Sequence, residues 1–552
     1  MSRLNRRQFL TGASLFAAAC AAGHTPRRGD RCDLLLRHGT VFVGDGSPGF
    51  VGDVAITNDR IVWIGDCRGM TAENVLDVDG LCVAPGFVDI HTHSDRSIFR
   101  HPGAESRVYQ GVTTEVTGNC GGSAAPRDAA ATTGGTDPDD GPAPWSDVAS
   151  YGEAWARKGI ALNQALLVGH GTLRRSVLGD VDRPATEAEL AAMGRRLDLA
   201  LTQGAIGMST GLEYVPGIYA PSSEITFLAG IVARHGGLYA SHMRSEEERL
   251  LLAIDEVIAV GRDTGVRVQV SHLKACGRGN WGKLDEAILR LERARAEGID
   301  VMADAYPYTA YSTTLTILLE PWSREGGDDA VMQRLNDPAA RARMLAELPA
   351  HVAADPGGFE LVVIANVDHP PHQDCVGKDL ATIAAVWQVS PAEACLRLLA
   401  GSRTNVSYIG HGMADAGVER VLQHPLVMIG SDGSSQAPVG RQLSRPHPRS
   451  YGTFPRVLGT YCRDRALFDL PTALAKMTSM PAARARLAAR GSLRVGNAAD
   501  LVVFDAATIA DRATYQEPQR YPVGMPHVLV NGQFVVRDGV ATALRPGRFL
   551  RC

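Results

Sequence analysis

The chain lacks a strong excess of charge of either sign, and after its first 23 residues it lacks long apolar runs. Its 552 residues carry 56 Lys and Arg against 60 Asp and Glu, which gives a net charge of −4. This balance argues against the basic electrostatic footprint of a nucleic-acid-binding protein. Because no later segment has about 18 uninterrupted apolar residues, we expect no membrane span.

The ten cysteines show no spacing typical of a disulfide framework, which argues against a disulfide-stapled scaffold. What the chain does have is a hydrophobic content of 45% and 59 glycines. At this length, such a content is enough for a large core and for more than one folding unit. The glycines suit many tight turns between strands and helices.

Residues 1–23 are predicted to be an export signal rather than part of the fold. The run Asn5-Arg6-Arg7-Gln8-Phe9-Leu10 precedes an apolar stretch of small residues. Twin arginines before a short apolar segment are typical of bacterial Tat signals, so we expect a periplasmic protein; the alternative is a frayed basic terminus. The run Ala17-Ala18-Ala19-Cys20 lacks the leucine of a good lipobox, which leaves simple cleavage and lipid anchoring at Cys20 both open.

The two ends of the chain share a pattern of short strands separated by turns rich in Gly, Asp and Asn. The pattern occupies residues 33–83 and returns at 501–536, where Asn531-Gly532 is a hairpin turn. We expect residues 30–84 and 490–552 to combine into one small β-domain, with the middle of the chain inserted between them.

The middle of the chain, residues 85–489, alternates predicted strands with helical patterns such as 187–203, 246–264 and 283–297. The predicted strands are 84–91, 113–119, 163–169, 205–210, 238–243, 266–272, 300–306 and 426–431. Eight such strands favour a (β/α)8 barrel, although a doubly wound sheet also fits the pattern. Two segments interrupt the alternation, a loop at 122–148 and an insertion at 320–425 with helices and a strand near 361–367.

Two histidines one residue apart follow the first strand of this middle region. His91 and His93 end an apolar run that begins after Pro85-Gly86. Residues i and i+2 of a strand point to the same face, so the two imidazoles would project side by side, as a metal site requires. A lone His-x-His pair also occurs in purely structural roles, so the other strand ends decide the interpretation.

Polar side chains stand at the C-terminal ends of the other predicted strands, where barrels place their chemistry. Each of them alone is ordinary, since a buried histidine usually only satisfies hydrogen bonds. Together they bring imidazoles, a thiol and a carboxylate to one mouth, which indicates a metal-dependent site. These residues are Asn119, Cys120, His242, Arg244, His272, Lys274, Ser431 and Asp432.

Longer motifs surround these strand ends. They are Ala84–Asp95, Gly118–Gly121, Gly169–Arg174, Gly207–Tyr214, Ser241–Arg244, Ser271–Lys274, Asp304–Tyr308, Gly430–Gly433, His447–Arg456 and Gly496–Asp505. With these motifs the chain resembles the D-aminoacylases, the N-acyl-D-amino-acid deacylases of the amidohydrolase superfamily. The resemblance covers nearly all of residues 33–550. It implies an α/β fold, a TIM-like (β/α)8 barrel with a small β-sandwich domain built from the N- and C-terminal segments.

The resemblance also implies a zinc-dependent hydrolysis of N-acyl-D-amino acids that releases a carboxylate and a D-amino acid. In this family Cys120, His242 and His272 would hold one tight catalytic zinc. His91 and His93 would form a second, weaker metal position that shares Cys120.

The absence of lysine from the fourth predicted strand of the middle region supports the D-aminoacylase subgroup. Many binuclear amidohydrolases bridge two metals with a carboxylated lysine on strand four, but this chain has no lysine between Lys158 and Lys274. Cys120 stands where the subgroup places a cysteine instead. Glu213, at the end of strand four, is a rival ligand that ranks below Cys120.

Asp432 is the expected general base, which would take a proton from water and pass it to the leaving nitrogen. Its structural alternative is a turn aspartate in Asp-Gly. By resemblance, Lys274, Tyr306 and Tyr214 would bind the carboxylate of the amino acid. The alternative without a role in binding is a solvated lysine and two tyrosines of the core.

Three residues after strand eight, Arg445, Arg449 and His447, are further candidates to face the substrate, although structural pairing fits them equally. A substrate with an acidic side chain would need an extra arginine, for which Arg445 and Arg244 are the candidates.

Three competing functions stay open at this stage. A cyclic-amide hydrolase similar to dihydroorotases or hydantoinases is disfavoured by Cys120 and by the lysine-free strand four. A periplasmic binding protein on a degenerate barrel is disfavoured by the complete set of ligands and base. A D-aminopeptidase or dipeptidase fits the same motifs. In each case the partner is a small molecule; the preference for D-amino acids rests on the resemblance, and the oligomeric state is left unassigned.

Overall fold

The computed structural model describes residues 30–127, 145–352, 358–438 and 444–551. The predicted export signal and most of the predicted loop at 122–148 lie outside these residues. Within the described part of the chain, no helix has the length and apolar character needed to cross a membrane.

The described residues form twenty β-strands. The first twelve are β1 Arg31–Val41, β2 Phe50–Thr57, β3 Arg60–Gly65, β4 Thr71–Asp77, β5 Cys82–Pro85, β6 Phe87–Asp89, β7 Val112–Thr117, β8 Asn163–Gly169, β9 Gly207–Gly211, β10 Leu238–His242, β11 Arg267–Val270 and β12 Val301–Ala305. The others are β13 Tyr311–Thr314, β14 Val362–Val367, β15 Val406–Gly410, β16 Val427–Ile429, β17 Leu501–Phe504, β18 His527–Val530, β19 Gln533–Arg537 and β20 Val540–Ala541.

Helices connect most of these strands. They are α1 Ser97–Arg100, α2 Glu105–Val108, α3 Val148–Lys158, α4 His170–Leu178, α5 Glu187–Thr202, α6 Ser222–Arg234, α7 Leu250–Thr264, α8 Leu284–Ala296, α9 Pro321–Arg324, α10 Gly327–Asn336, α11 Pro338–Val352, α12 Leu380–Trp387, α13 Pro391–Gly401, α14 Asp415–Gln423, α15 Arg449–Arg456, α16 Leu470–Met477 and α17 Ser479–Arg484. Short 3-10 turns lie at Gly217–Tyr219, Arg278–Lys283, Leu315–Leu318, Gly358–Leu361 and Pro370–Cys375, and a π-helix lies at Val457–Asp464.

Eight parallel strands form a nearly closed barrel in the order β6-β7-β8-β9-β10-β11-β12-β16. Each strand pairs with the next barrel strand along the chain, without the reversal of order that defines a doubly wound sheet. The strands are buried on both faces, as β8 is along its whole length, because helices cover the outside and side chains fill the inside. The prediction of a (β/α)8 barrel is confirmed, and its eight strands lie where the sequence pattern placed them.

Backbone hydrogen bonds join the first and last barrel strands at their C-terminal ends. The His93 amide donates to the Gly433 carbonyl at 2.8 Å, and the Asp432 amide donates to the His91 carbonyl at 2.8 Å. This contact brings the loop after β16 against the loop after β6. Asp432 therefore lies beside the two histidines, although more than 330 residues separate them in sequence.

The two ends of the chain meet in one nine-stranded sheet of order β20-β19-β18-β17-β5-β1-β2-β3, with β4 also paired to β1. The sheet divides at β1, whose first residues pair with β4 and whose last residues pair with β5. After β20 the chain leaves this sheet for the barrel, where the Gly547 amide donates to the Ile160 carbonyl at 2.8 Å.

Gly86 separates the terminal sheet from the barrel. The predicted strand 84–91 is therefore two strands, with β5 in the sheet and β6 in the barrel. A Cβ at Gly86 would lie 2.3 Å from side-chain atoms of Thr113 in β7, so a larger residue would displace Gly86 or Thr113.

The insertion between β12 and β16 has its own antiparallel sheet, β13-β15-β14, and its own apolar core. The strand predicted near 361–367 is β14. The insertion sheet begins at β13, before the predicted start at residue 320. The core of the insertion faces the mouth of the barrel through Ile317 and Leu318, which line the central pocket.

Candidate active site

A pocket of about 290 Å³ opens at the C-terminal ends of the barrel strands, between the barrel and the insertion. Polar and ionisable side chains from the barrel form one side of it. They include His93, Cys120, Glu213, Tyr214, His242, Glu246, His272, Lys274, Tyr306, Asp432 and Arg449. All the strand ends that the sequence singled out for metal chemistry thus meet around one cavity.

Cys120, His242 and His272 form the tightest group of candidate metal ligands. The Sγ atom of Cys120 lies 3.5 Å from Nε2 of His272, and Nδ1 of His242 lies 2.9 Å from the same nitrogen. The three donor atoms all lie within 4.8 Å of one another. A thiolate with two imidazoles suits zinc, and three protein ligands leave one coordination position open.

A second group of donors shares Cys120 with the first. Its other members are His91, His93 and Asp432; Sγ of Cys120 lies 3.3 Å from Nε2 of His91, and Nε2 of His93 lies 2.8 Å from Oδ1 of Asp432. The structure therefore places the His-x-His pair around a second position, as the sequence predicts. It adds Asp432 to that position.

Three residues of these groups have left-handed backbone conformations, namely Cys120 (φ 51°), His272 (φ 35°) and Asp432 (φ 53°). Side chains other than glycine rarely adopt such angles, and they persist only where surrounding contacts hold them. The turns after β7, β11 and β16 thus aim a thiol, an imidazole and a carboxylate inward at a conformational cost.

Three of the four histidines have a carboxylate on the ring nitrogen that faces away from the thiol. The pairs are His242 Nε2 with Glu213 at 2.9 Å, His272 Nδ1 with Glu246 at 2.8 Å and His91 Nδ1 with Asp304 at 3.1 Å. Such carboxylates fix the tautomer and the orientation of a metal-binding imidazole. Glu213, Glu246 and His242 also lie close enough to hold a metal. Glu213 nevertheless contacts the outer nitrogen of His242, which suits an orienting residue better than the rival ligand considered from sequence.

The Cys120 side chain is suited to metal binding as a thiolate. Burial disfavours the charged form, but His91 and His272 outweigh it and hold the pKa of the Cys120 thiol well below its ordinary value. The thiolate is the form of cysteine that binds zinc.

Asp432 forms an ion pair with Arg449 in which both side chains are buried. An Oδ2 atom of Asp432 lies 2.8 Å from a terminal nitrogen of Arg449, while Oδ1 faces His93. Although burial disfavours the carboxylate, Arg449 and His91 hold the pKa of Asp432 well below its usual range. Asp432 is therefore an ionised carboxylate next to the metal donors.

The sequence profile of the amidohydrolase family matches residues 74–536. The chain is 38% identical to an N-acyl-D-glutamate deacylase of Alcaligenes xylosoxydans xylosoxydans over 95% of this chain and 97% of that protein. It is also 38% identical to a D-aminoacylase of the same organism, over 94% and 97%. The solved structure of N-acyl-D-glutamate deacylase from Bordetella bronchiseptica, in complex with zinc and a phosphonate inhibitor, superposes with a TM-score of 0.79 at 35% identity, covering 95% of this chain and 100% of that one.

The chain belongs to the D-aminoacylase group of the amidohydrolase family. This confirms the resemblance read from the motifs. It also agrees with the absence of a lysine from the fourth barrel strand, β9, since this amidohydrolase offers Cys120, after the second barrel strand, to both groups of metal donors.

The predicted carboxylate-binding residues of this amidohydrolase all line the pocket, but they differ in their partners. Lys274 is buried and lies 2.6 Å from Glu246, so its charge is already shared with a protein carboxylate. The Tyr214 hydroxyl contacts the Thr313 hydroxyl at 3.1 Å. The Tyr306 hydroxyl is buried and has no hydrogen-bond partner among the described residues, which marks it as a donor available to a ligand.

The structure corrects the sequence analysis at Arg445 and Arg244. The Arg445 side chain is exposed and packs against Gly377, because its backbone amide binds the Ala365 carbonyl at 2.8 Å and holds this segment along the insertion. Arg244 forms an ion pair with Glu256 at 2.9 Å. Neither arginine lines the pocket.

His447 does not line the pocket but contacts the backbone next to residues that do. Its Nε2 donates to the Ala310 carbonyl at 2.9 Å, and its Nδ1 accepts the Arg449 amide at 3.0 Å. Burial and the neighbouring Arg449 hold the pKa of His447 well below its usual value, so the ring is neutral. The amidohydrolase thus uses His447 to position the turn that presents Arg449.

Sequence reasoning missed Glu246, which binds both His272 and Lys274. It follows His242 by four residues in the loop after β10, so a search for a carboxylate near each predicted ligand would have found it. The pairing of Asp304 with His91 was also missed, although Asp304 lies in one of the quoted motifs.

Proposed function

We propose that this amidohydrolase hydrolyses the amide bond of N-acyl-D-amino acids with the help of zinc. The observation that carries the proposal is the convergence of Cys120, His242 and His272 beside the ionised Asp432 in one pocket. The named relatives that match along almost the whole chain are deacylases of this kind. One of them is named for glutamate and the other for no particular side chain, so similarity leaves the side chain of the substrate open.

The donors fit a zinc ion. One soft thiolate and two imidazoles, each imidazole braced by a carboxylate, are typical of a catalytic zinc site. Bound there, zinc would polarise the amide carbonyl and lower the pKa of water at the open position. His91, His93 and Asp432, with Cys120 shared, are the residues that would hold a second and weaker ion.

Asp432 would act as the general base and then as the general acid. Its Oδ1 would accept a proton from the attacking water and then deliver that proton to the departing amine nitrogen. Arg449 keeps the carboxylate ionised and fixes its orientation through Oδ2. The buried ion pair thus holds the base in one place, as a proton transfer over hydrogen-bond distance requires.

The carboxylate of the amino acid would bind to Lys274 and Tyr306. Both side chains line the pocket, and the Lys274 ammonium lies 5.8 Å from the centre of the Tyr306 ring. The unpartnered hydroxyl of Tyr306 would gain its hydrogen bond from the substrate. Tyr214 also lines the pocket, and its ring centre lies 4.7 Å from that of His242.

A substrate panel tests the proposal. Purified protein is dialysed against a chelator and reloaded with zinc, and N-acetyl-D- and N-acetyl-L-amino acids are assayed beside a hydantoin and a D-dipeptide. We expect turnover of N-acetyl-D-amino acids that depends on zinc. Turnover confined to the hydantoin, the dipeptide or the L-series would refute the proposal.

We also propose that the protein is exported to the periplasm by the Tat route. Support comes from Arg6-Arg7 before a short apolar run and from the fact that this route carries folded, cofactor-loaded proteins, which suits a zinc enzyme. Replacement of both arginines by lysine should retain the protein in the cytoplasm, as cell fractionation would measure. Undiminished periplasmic protein would contradict the route. Whether Cys20 carries a lipid is decided by mass spectrometry of the exported protein.

A further inference from the structure

We infer that the Ser209 hydroxyl positions Cys120, the thiol shared by both groups of metal donors, and thereby sets how tightly zinc is held. The inference rests on the proposed zinc-dependent function and adds a positioning residue to it. Ser209 is the middle residue of β9, the fourth barrel strand, and its side chain is fully buried. It is not among the described residues that line the pocket, so it would act on zinc only through Cys120.

The hydroxyl joins the two ends of the turn that carries Cys120. The Gly121 amide donates to Oγ of Ser209 at 3.0 Å, and the same hydroxyl donates to the Gly118 carbonyl. These two bonds enclose Asn119 and Cys120, so the turn after β7 is tied to β9 on both sides of the thiol. Ser209 lies 88 residues beyond Gly121, so the bonds are made only by the closure of the barrel.

The turn requires such support because its backbone is left-handed at three residues, Gly118 (φ 75°), Cys120 (φ 51°) and Gly121 (φ 77°). Glycine adopts these angles readily, whereas a residue with a side chain keeps them only where surrounding contacts hold it. The strand also leaves space for the turn, since a Cβ at Gly211 would lie 2.2 Å from the Cys120 carbonyl oxygen. Ser209 and Gly211 share one face of β9, which therefore offers the turn both a hydrogen-bonding group and room.

Loss of the hydroxyl would leave two backbone groups of the turn without their bonds to Ser209. An unpaired buried amide or carbonyl is costly, so the turn would rearrange to find other partners. The Cys120 backbone would then relax, and its thiol would move relative to the two imidazoles of the tight group. Residues that orient a metal ligand typically change metal affinity by about 10- to 100-fold, and we expect Ser209→Ala to weaken zinc binding by that factor.

The first experiment measures zinc affinity directly. Full-length protein is stripped of metal with a chelator and titrated with zinc against a zinc-sensitive dye. The matched control is Thr210→Val on the same strand, which keeps the side-chain volume but removes an equally buried hydroxyl that contacts those of Tyr239 and Ser241. Neighbouring residues of a strand face opposite sides, so this control leaves the Cys120 turn intact. We expect weaker binding in Ser209→Ala alone; unchanged affinity there, or an equal loss in both variants, would overturn the inference.

The second experiment separates positioning from a general loss of stability. Cobalt(II) bound to a thiolate gives a charge-transfer band in the near ultraviolet, which reports the bond between the metal and Cys120. At saturating cobalt we expect this band to be weaker or shifted in Ser209→Ala and to be restored in Ser209→Thr, which returns the hydroxyl. An unaltered band in Ser209→Ala would overturn the positioning role.

A lower stability of Ser209→Ala does not invalidate the test. Denaturant unfolding with and without zinc gives the stabilisation by the metal, which depends on the affinity of the folded protein for zinc and on the zinc concentration. We expect this stabilisation to be smaller in Ser209→Ala than in Thr210→Val. Equal stabilisation in the two variants would overturn the inference.

Failure of this inference and failure of the proposed function are distinguishable, because zinc binding is measured without substrate. Equal zinc affinity in Ser209→Ala and the unsubstituted enzyme overturns the role of Ser209, even where N-acetyl-D-amino acids are hydrolysed. If the unsubstituted, zinc-loaded enzyme hydrolyses none of them, the proposed function has failed, while the comparison of zinc affinities still decides the role of Ser209.

Discussion

The Asp432 carboxylate lies 2.8 Å from the Arg449 guanidinium, and both side chains are at least nine-tenths buried. Arg449 therefore keeps the proposed base ionised and holds it against the metal donors.

Asp432→Asn removes the base without removing any of Cys120, His242 and His272. We expect kcat to fall by about 10²–10⁴-fold while zinc content stays unchanged, measured by steady-state assay and elemental analysis. Asp285→Asn, at an exposed ion pair with Arg420, is the control. Near-normal turnover of Asp432→Asn would remove this residue as the base.

The two groups of donors are expected to differ in metal affinity. Cys120→Ala takes a thiolate from both groups, so zinc should be lost on dialysis together with activity. His93→Ala affects only the second group and should keep about one zinc per chain, the number that one catalytic site holds. Elemental analysis after exhaustive dialysis measures both. Zinc retained by Cys120→Ala, or lost by His93→Ala, would contradict the assignment of the tight site.

Lys274 is expected to contribute to substrate binding through the carboxylate of the amino acid. Lys274→Met should raise KM for N-acetyl-D-leucine much more than for the corresponding neutral amide, because only the acid offers an anion to the lysine. Since the substitution also leaves Glu246 without its cation, the comparison is repeated in the background Glu246→Gln. Lys283→Met, whose ammonium binds the Glu248 carbonyl, is the matched control. An equal loss on acid and amide would argue against the contact.

His447 makes folding stability sensitive to pH. Its pKa in the folded protein lies well below its usual value, because burial and Arg449 disfavour the charged ring. Stability is therefore present above the unfolded pKa of about 6.5 and is lost as pH falls below it toward the folded pKa, at up to about 1.4 kcal/mol per pH unit. Denaturant unfolding between pH 7.5 and 5 measures the slope. We expect His447→Gln to flatten it relative to His235→Gln, a change at a surface ion pair. Equal slopes would exclude His447 as the source.

Much of the fold followed from patterns along the chain. The barrel strands are continuous apolar runs between helical segments, and buried parallel strands require such runs. The sequence did not reveal that the run 84–91 serves two sheets, since the division at Gly86 lies in the pairing partners, β17 for β5 and β7 for β6. It also did not reveal that the chain after β20 returns to the barrel, because that contact joins residues far apart in sequence.

The residues of the candidate site were predictable from the sequence to a similar extent. Cys120, His242 and His272 stand at strand ends, and the strand ends of a parallel barrel meet at one mouth, so their convergence followed from position alone. Position in the sequence did not show which of Arg445 and Arg449 faces the pocket. These two residues lie four positions apart, and only the path of the chain along the insertion turns one outward and the other toward Asp432.

By itself, the sequence indicated the family and the candidate metal donors through local motifs, and the family resemblance favoured the barrel over the doubly wound sheet that the spacing of strands left open. Only the tertiary structure decided the partners of each charge, such as Asp432 with Arg449 and Lys274 with Glu246. Those pairs form where closure of the barrel and packing of loops bring distant residues within a few ångströms, and electrostatic interactions depend on that distance and on burial.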